Sequence, residues 1–300
     1  MSEVCNLCPR HCGADRGAGK TGYCRVTSGI KIARAALHFW EEPCISGEDG
    51  SGTVFFCGCT LGCVYCQNQE ISRGVAGKYI SSERLSEIFL ELQEKKANNI
   101  NLVTPDHYAP QIAEAVVRAR KNGLRIPVVA NTGGYVSDEI YDALAPVTDI
   151  WLADYKYSSP ELARKYSKAG DYPEVARKAL KRMFRDTGKP VYNEDDMLLK
   201  GIIVRLLLLP GCVEDAKRSV KYLYEEYGDD IILSLMNQYT PPSSLLKDYP
   251  EIDRSVTREE YDELIDYAVD LGVENAFTQE DGTDSASFIP PFDLEGVEKP

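Results

Sequence analysis

Cys59, Cys63 and Cys66 stand in the spacing CxxxCxxC, directly after the apolar run Gly52-Thr53-Val54-Phe55-Phe56. Three thiolates within eight residues are one ligand short of a closed tetrahedral metal site. A cubane iron-sulfur cluster held by three thiolates keeps one iron free to bind something else, so the spacing points to an open cluster. A structural zinc completed by a ligand from elsewhere in the chain is the alternative. The run Cys59-Thr60-Leu61-Gly62-Cys63-Val64-Tyr65-Cys66-Gln67-Asn68 holds more than spacing, because an aromatic precedes its last cysteine. Gly58 and Gly62 let the backbone curl tightly round a bulky inorganic core.

In these residues the chain resembles the radical S-adenosylmethionine (SAM) superfamily. The resemblance implies a [4Fe-4S] cluster on Cys59, Cys63 and Cys66, whose open iron chelates the amino and carboxylate groups of SAM. A reductant such as flavodoxin or ferredoxin would supply the electron that cleaves SAM to a 5′-deoxyadenosyl radical, which abstracts a hydrogen from the substrate. It also implies an incomplete (β/α)6, TIM-like barrel with the cluster loop after the first strand. Four phrases are similar to proteins related to pyruvate formate-lyase activating enzyme: 41–47 (EEPCISG), 101–105 (NLVTP), 152–157 (LADYKY) and 236–239 (MNQY). That subgroup implies an oxidoreductase acting on a glycine or other residue of a protein partner. The chain departs from it at Leu206, where histidine is expected, and at Thr104-Pro105-Asp106, which replaces a glycine-rich contact to the SAM amino group. A radical SAM enzyme acting on a small molecule is the second reading, and a non-catalytic iron-sulfur or zinc protein the third.

These residues need a frame to hold them. From about residue 52 short β-rich runs alternate with helical stretches, the rhythm of βα units on a parallel sheet. Strands are expected at Thr53–Phe56, Ile100–Thr104, Ile126–Thr132, Ile150–Tyr155, Ile202–Leu208 and Ile231–Gln238, with a possible seventh at Glu274–Thr278. Helices are expected at about 82–97, 108–122, 137–145, 173–186, 214–227 and 257–271. Several strands are almost continuously apolar, as burial on both faces requires. The chain divides into a cysteine-rich extension at 1–50, a barrel at 51–280 and a tail at 281–300, whose Phe288-Ile289-Pro290-Pro291-Phe292 is expected to pack on the barrel. Gly188 to Lys200 reads as a polar connection.

Barrel sites gather where strands end, and polar residues cluster there. Asn131, Thr132 and Asn237 suit the ribose of SAM, Lys156 its carboxylate, and Asp106 or Asp154 its cationic end, with Thr104 beside them. The superfamily pattern places Tyr65 beside the adenine, and the activating-enzyme pattern places Asp154 and Lys156 near SAM and substrate. His107 and His38 read as structural hydrogen bonders.

Cys5, Cys8, Cys12 and Cys24 form a second group, CxxCxxxC and a fourth cysteine in a turn-rich stretch with Pro9, Gly13, Gly17, Gly19 and Gly22. Four thiolates can close a site, either a structural zinc or an auxiliary iron-sulfur cluster. About thirty such residues bury too little apolar surface to fold unaided, so a metal would supply their stability. His11 is a substitute ligand. Cys57, Cys44 and Cys212 read as packing residues, the last two in loops.

The 300 residues are 43% hydrophobic, enough for a sizeable core. No run of eighteen apolar residues suggests a membrane span, and the amino terminus lacks a signal-peptide pattern. Ten cysteines in such a chain point to metal binding in a reducing cytoplasm. Of the formal charge of −13, residues 251–300 carry −12, from 15 acidic and 3 basic side chains. Acid of this density disfavours a nucleic acid partner. It reads as a solvated helix face and tail, or as a docking surface for a basic partner.

Overall fold

A computed structural model describes residues 4–242, 245–279 and 290–299. The parallel core of the sheet is β2 (Ser51–Phe56), β4 (Ile100–Val103), β5 (Val128–Thr132), β6 (Ile150–Asp154), β8 (Leu198–Leu207), β9 (Ile232–Met236) and β10 (Ala276–Phe277), paired in that spatial order. Every residue of β2 and β4 is buried, and the polar ones among them, Ser51, Thr53 and Asn101, find hydrogen-bond partners inside. Helices α3 (Ser82–Glu94), α4 (Ala109–Lys121), α5 (Asp138–Leu144), α7 (Tyr172–Thr187), α8 (Val213–Tyr227) and α9 (Arg258–Leu271) connect the strands, each beginning and ending within three residues of its expected bounds. Ser81 caps α3 by accepting the Arg84 N–H, Thr257 opens α9 with a capping box, and Gly272 ends it in the left-handed region.

The sheet does not close. Its path among the described residues runs from β10 at one edge to β3 (Lys78–Ile80) at the other. Next to β3 lies β1 (Ile30–His38), antiparallel to β2 through pairs such as Ala35 with Val54 and His38 with Ser51. Within the segment 1–50, residues Ile30–His38 thus belong to the sheet. This stretch joins the barrel, because alternate residues Ile30 and Ile32 can be buried only when β1 covers the edge of β2.

Two further elements differ from expectation. β8 begins at Leu198, inside the supposed polar connection, because β7 (Val191–Tyr192) folds back on it as a hairpin. Between β6 and α7 lies α6 (Pro160–Ser167), which begins with Ser159 accepting from the Glu161 and Leu162 N–H groups and Pro160 in the first turn. Cys44 sits in the one-turn helix α1 (Pro43–Ser46) rather than a loop. Cys57 is fully buried.

Phe288 and Ile289 lie outside the described residues. The tail from 290 onward packs on the barrel: Phe292 meets Phe55 edge to face at 5.6 Å, and Leu294 and Glu295 exchange backbone bonds with Ala33 and Ala35. The Arg84 guanidinium donates to the carbonyls of Gly296, Val297 and Glu298. Among the described residues no helix is long and apolar enough to cross a membrane.

Candidate active site

All six major parallel strands deliver their carboxyl ends to one cavity of about 250 Å³. From β2 and the loop after it come Phe55, Cys59, Leu61, Cys63, Tyr65, Cys66, Gln67 and Asn68. Thr104 follows β4, Asn131 and Gly133 follow β5, Asp154 and Lys156 follow β6, and Arg205, Leu207, Met236 and Gln238 close the circuit. Of the residues expected around SAM, Tyr65, Thr104, Asn131, Asp154 and Lys156 line this cavity together with the three cysteines.

Three do not line it. Asp106 and Thr132 are buried behind the wall, where the Thr132 hydroxyl donates to Asp106 Oδ1 at 2.6 Å and accepts from the Gly134 N–H at 3.3 Å. The residue after Thr104 turns directly into a 3-10 turn at Asp106–Tyr108, which carries Asp106 away from the strand end. Asn237 points its N–H to Gln279 Oε1, and its neighbours Met236 and Gln238 face the cavity instead, as strand alternation dictates. His107 is buried, and its Nε2–H donates to the Cys57 carbonyl at 2.7 Å.

The cysteine loop is folded by short-range demands. Gly58 has φ +91°, and a Cβ there would stand 2.6 Å from the Cys24 carbonyl oxygen, so the loop can leave β2 only through glycine. The N–H groups of Leu61 and Gly62 point at Cys59 Sγ at 3.3 and 3.5 Å, and the Ser167 hydroxyl lies 3.0 Å from Cys63 Sγ. Gln67 Nε2 donates to the Gln238 carbonyl at 2.6 Å and ties the end of the loop to β9.

This donor set fits a cluster. Burial, and then the facing Cys63 and Cys66 sulfurs, push the Cys59 thiol up to about 12; burial also raises Cys66. A shared cationic core would offset the burial and sulfur crowding that raise Cys59 and Cys66, and N–H and O–H groups already aim at the sulfurs of Cys59 and Cys63. Among the described residues no three His, Cys, Asp or Glu side chains surround a single metal-ion position. The same holds for Cys5, Cys8, Cys12 and Cys24.

Opposite the cysteines the wall is ionic. Lys156 Nζ is 2.6 Å from Asp154 Oδ2. Burial works against the lysine charge, but the Asp154 carboxylate and the Cys63 and Cys66 sulfurs override it and raise its pKa. Arg205 grips Glu42 with two bonds of 2.7 and 2.6 Å and also pairs with Glu41, which accepts from Asn101 Nδ2 at 2.8 Å. Burial opposes ionisation of Glu42, yet Arg205 holds it below the usual carboxylate range. Thr104, at the floor, has φ +61°. A β-branched residue in the left-handed region is strained, and such strain collects at functional sites.

Sequence reading finds Arg205 among the polar residues of the strands, and Glu41 and Gln67 within its motif runs, without giving them a role, and it misses the hydroxyls behind Cys63. It missed Arg10 as well, although Arg10 joins the amino-terminal cysteines to the site. Its guanidinium donates to the carbonyls of Thr60 and Leu61 in the cysteine loop and of Ser167 and Lys168 at the end of α6. It also stacks over the Tyr23 ring at 3.9 Å. Around it, burial pushes the Cys8 thiol up to about 11, helped by Cys24, Cys12 and Cys5, so the four sulfurs share one neighbourhood. Cys8 and Cys24 are buried, and Cys12 is exposed.

The radical SAM superfamily model matches residues 53–200, which include the cysteine loop, Asn131 and the Asp154–Lys156 pair. An uncharacterized protein of Methanocaldococcus jannaschii is 27% identical over 274 residues, covering 88% of this chain and 74% of the relative. Among solved structures, SuiB of Streptococcus suis bound to S-adenosylmethionine is similar with a TM-score of 0.55 at 14% identity, over 75% of this chain and 49% of that one. SuiB bound to the precursor peptide SuiA gives a TM-score of 0.53 at 13% identity, over 76% of this chain and 48% of that one. The chain spans about half the length of these structures, and at such identities the likeness is one of fold. The family model thus covers just under half of the chain, the half that carries the cysteine loop.

Proposed function

We propose that the chain is a radical SAM enzyme, an activating-enzyme-like oxidoreductase that cleaves SAM and abstracts hydrogen from a residue of a polypeptide. The observation that carries the reading is the convergence of Cys59, Cys63 and Cys66 with Tyr65, Thr104, Asn131, Asp154 and Lys156 on one cavity. In this reading the three thiolates hold a [4Fe-4S] cluster, which supplies the single electron for SAM cleavage. Lys156, anchored by Asp154, would receive the SAM carboxylate; Asn131 would serve its ribose, Tyr65 would pack beside its base, and the backbone at Thr104 would meet its amino group. Asp106, Thr132 and Asn237 would support these groups from behind rather than touch the cofactor. The peptide bound in a SuiB structure supports a polypeptide substrate, as do the phrases shared with activating enzymes.

The test is anaerobic incubation of iron-reconstituted protein with SAM and dithionite. Formation of 5′-deoxyadenosine by wild type, and its loss in Cys59→Ala, is expected. A wild type with a full cluster that yields none would leave a non-catalytic metal protein as the better reading. We also assign a second metal to Cys5, Cys8, Cys12 and Cys24. Iron and zinc analysis of a Cys59/Cys63/Cys66→Ala triple variant should find metal retained there, and a folded, metal-free variant would refute the assignment.

A further inference from the structure

Ser167, the last residue of α6, sits with its hydroxyl 3.0 Å from Cys63 Sγ and 2.7 Å from the Tyr157 hydroxyl. The Tyr157 hydroxyl is in turn 2.8 Å from that of Tyr65. All three residues are buried, and the rings of Tyr166, Tyr239 and Tyr172 pack edge-on against Tyr65 and Tyr157. Nothing in the cysteine spacing demands a serine 104 positions beyond Cys63.

Counting protons fixes the direction of this chain. Three contacts are shared by three hydroxyl protons, and a cysteine sulfur that ligates metal has none to give. Each contact holds a proton in one arrangement: Tyr65 donates to Tyr157, Tyr157 to Ser167, and Ser167 to Cys63 Sγ. Any other order leaves either two oxygens in close contact with no hydrogen between them or the sulfur without its donor. Hydrogen bonds in such a chain polarise one another, so the two tyrosines strengthen the serine as a donor. Arg10 holds the Ser167 carbonyl at 2.7 Å and keeps the serine in place.

We propose that Ser167, backed by Tyr157 and Tyr65, sets the reduction potential of the metal centre through Cys63. The proposal rests on the radical SAM reading above. Reduction increases the negative charge on the ligating sulfurs, so a hydroxyl donor is held more strongly in the reduced state and makes reduction easier. Ser167 is a positioning and tuning residue that acts through Cys63 and touches no substrate.

The experiment is a dithionite potentiometric titration of reconstituted protein, followed by the electron paramagnetic resonance signal of the reduced cluster. Ser167→Ala should move the midpoint to more negative potential, so that at the wild-type midpoint the reduced-to-oxidised ratio falls by about threefold to tenfold. Tyr157→Phe keeps the ring and loses the relay hydroxyl, and should shift the midpoint the same way by less. A cluster-loaded Ser167→Ala protein whose midpoint is unchanged or more positive overturns the proposal. If that variant does not fold, the same result in Tyr157→Phe overturns it. A wild type that takes up no reducible cluster, or one whose full reducible signal persists unchanged in the Cys59/Cys63/Cys66→Ala protein and so belongs to the amino-terminal cysteines, would sink the radical SAM reading and this inference with it. An unmoved midpoint sinks the inference alone.

Discussion

The cysteine wall of the cavity is held by backbone N–H groups, hydroxyls and a single guanidinium, whereas the facing wall is held by three carboxylates and two cations. The difference follows from what each wall has to face. A carboxylate beside three sulfurs would add to their mutual repulsion, and dipoles that donate a proton without carrying a charge stabilise them at no such cost. The ionic wall fixes charges for a polar ligand, with Lys156 within electrostatic reach of Cys63 and Cys66 and with Glu41, Glu42 and Arg205 as a buried base beneath the more accessible Asp154–Lys156 pair. Dipoles can be supplied by local backbone. Charges have to be brought from distant strands and neutralised pair by pair.

The comparison breaks most visibly at Arg205. Arg205→Met strands two carboxylates in the protein interior, and urea unfolding should show a loss of about 3–5 kcal/mol. Adding Glu41→Gln and Glu42→Leu removes the orphaned charges and should recover most of that loss, since a buried ion pair roughly balances its own desolvation. If the triple variant is no more stable than Arg205→Met, the triad holds the wall through shape and not through charge.

Arg10 tests the opposite wall. Arg10→Ala removes the donor to four carbonyls and should cost about 2–3 kcal/mol in the same assay, with faster hydrogen exchange at the amides of 59–66. Arg10→Lys should not rescue it, because an ammonium cannot span the two carbonyl pairs that the planar fork reaches. Full rescue by lysine would mean that this wall, too, depends on charge alone.

The two walls also differ in how far the sequence reveals them. The cysteine loop is contiguous, so spacing, glycines and Tyr65 are visible in ten residues, and Gly58 even marks the tight exit from β2. Helix and strand positions are similarly local, and α3, α4 and α9 follow from apolar spacing and their caps. Asp154 and Lys156 are close in sequence and recognisable. Arg205 and Glu41 are 164 positions apart, and neither means anything until β8 and the segment before α1 are brought together. Ser167 and Arg10 are silent for the same reason, and α6 escaped because a single Ser-Pro start is a weak signal beside a long apolar repeat. Asp106 opens a three-residue 3-10 turn that carries it off the strand end, a geometry that composition does not encode.

Asp106 offers the smallest and most specific test, because it lies behind both walls and belongs to neither. Burial raises its carboxyl from the ordinary 3.8 to about 7, against the stabilising bond from Thr132, with Asp154 adding to the rise. The folded state therefore keeps a proton that the unfolded chain has already released. Between about pH 4 and pH 7 the folded protein binds more protons, so this group's contribution to stability is greatest below pH 4, falls as pH rises through that window, and is flat above it. Asp106→Asn removes the ionisation and should stabilise the protein at pH 8 by about 1–2 kcal/mol while changing little at pH 4. The gain stays below what the full shift would give, because the new amide nitrogen must find an acceptor where the carboxylate received the backbone N–H of Asp106 itself. Unfolding curves for both proteins across pH 4–8 measure the effect, and parallel curves would mean that Asp106 is ionised in the fold and belongs electrostatically with the charged wall.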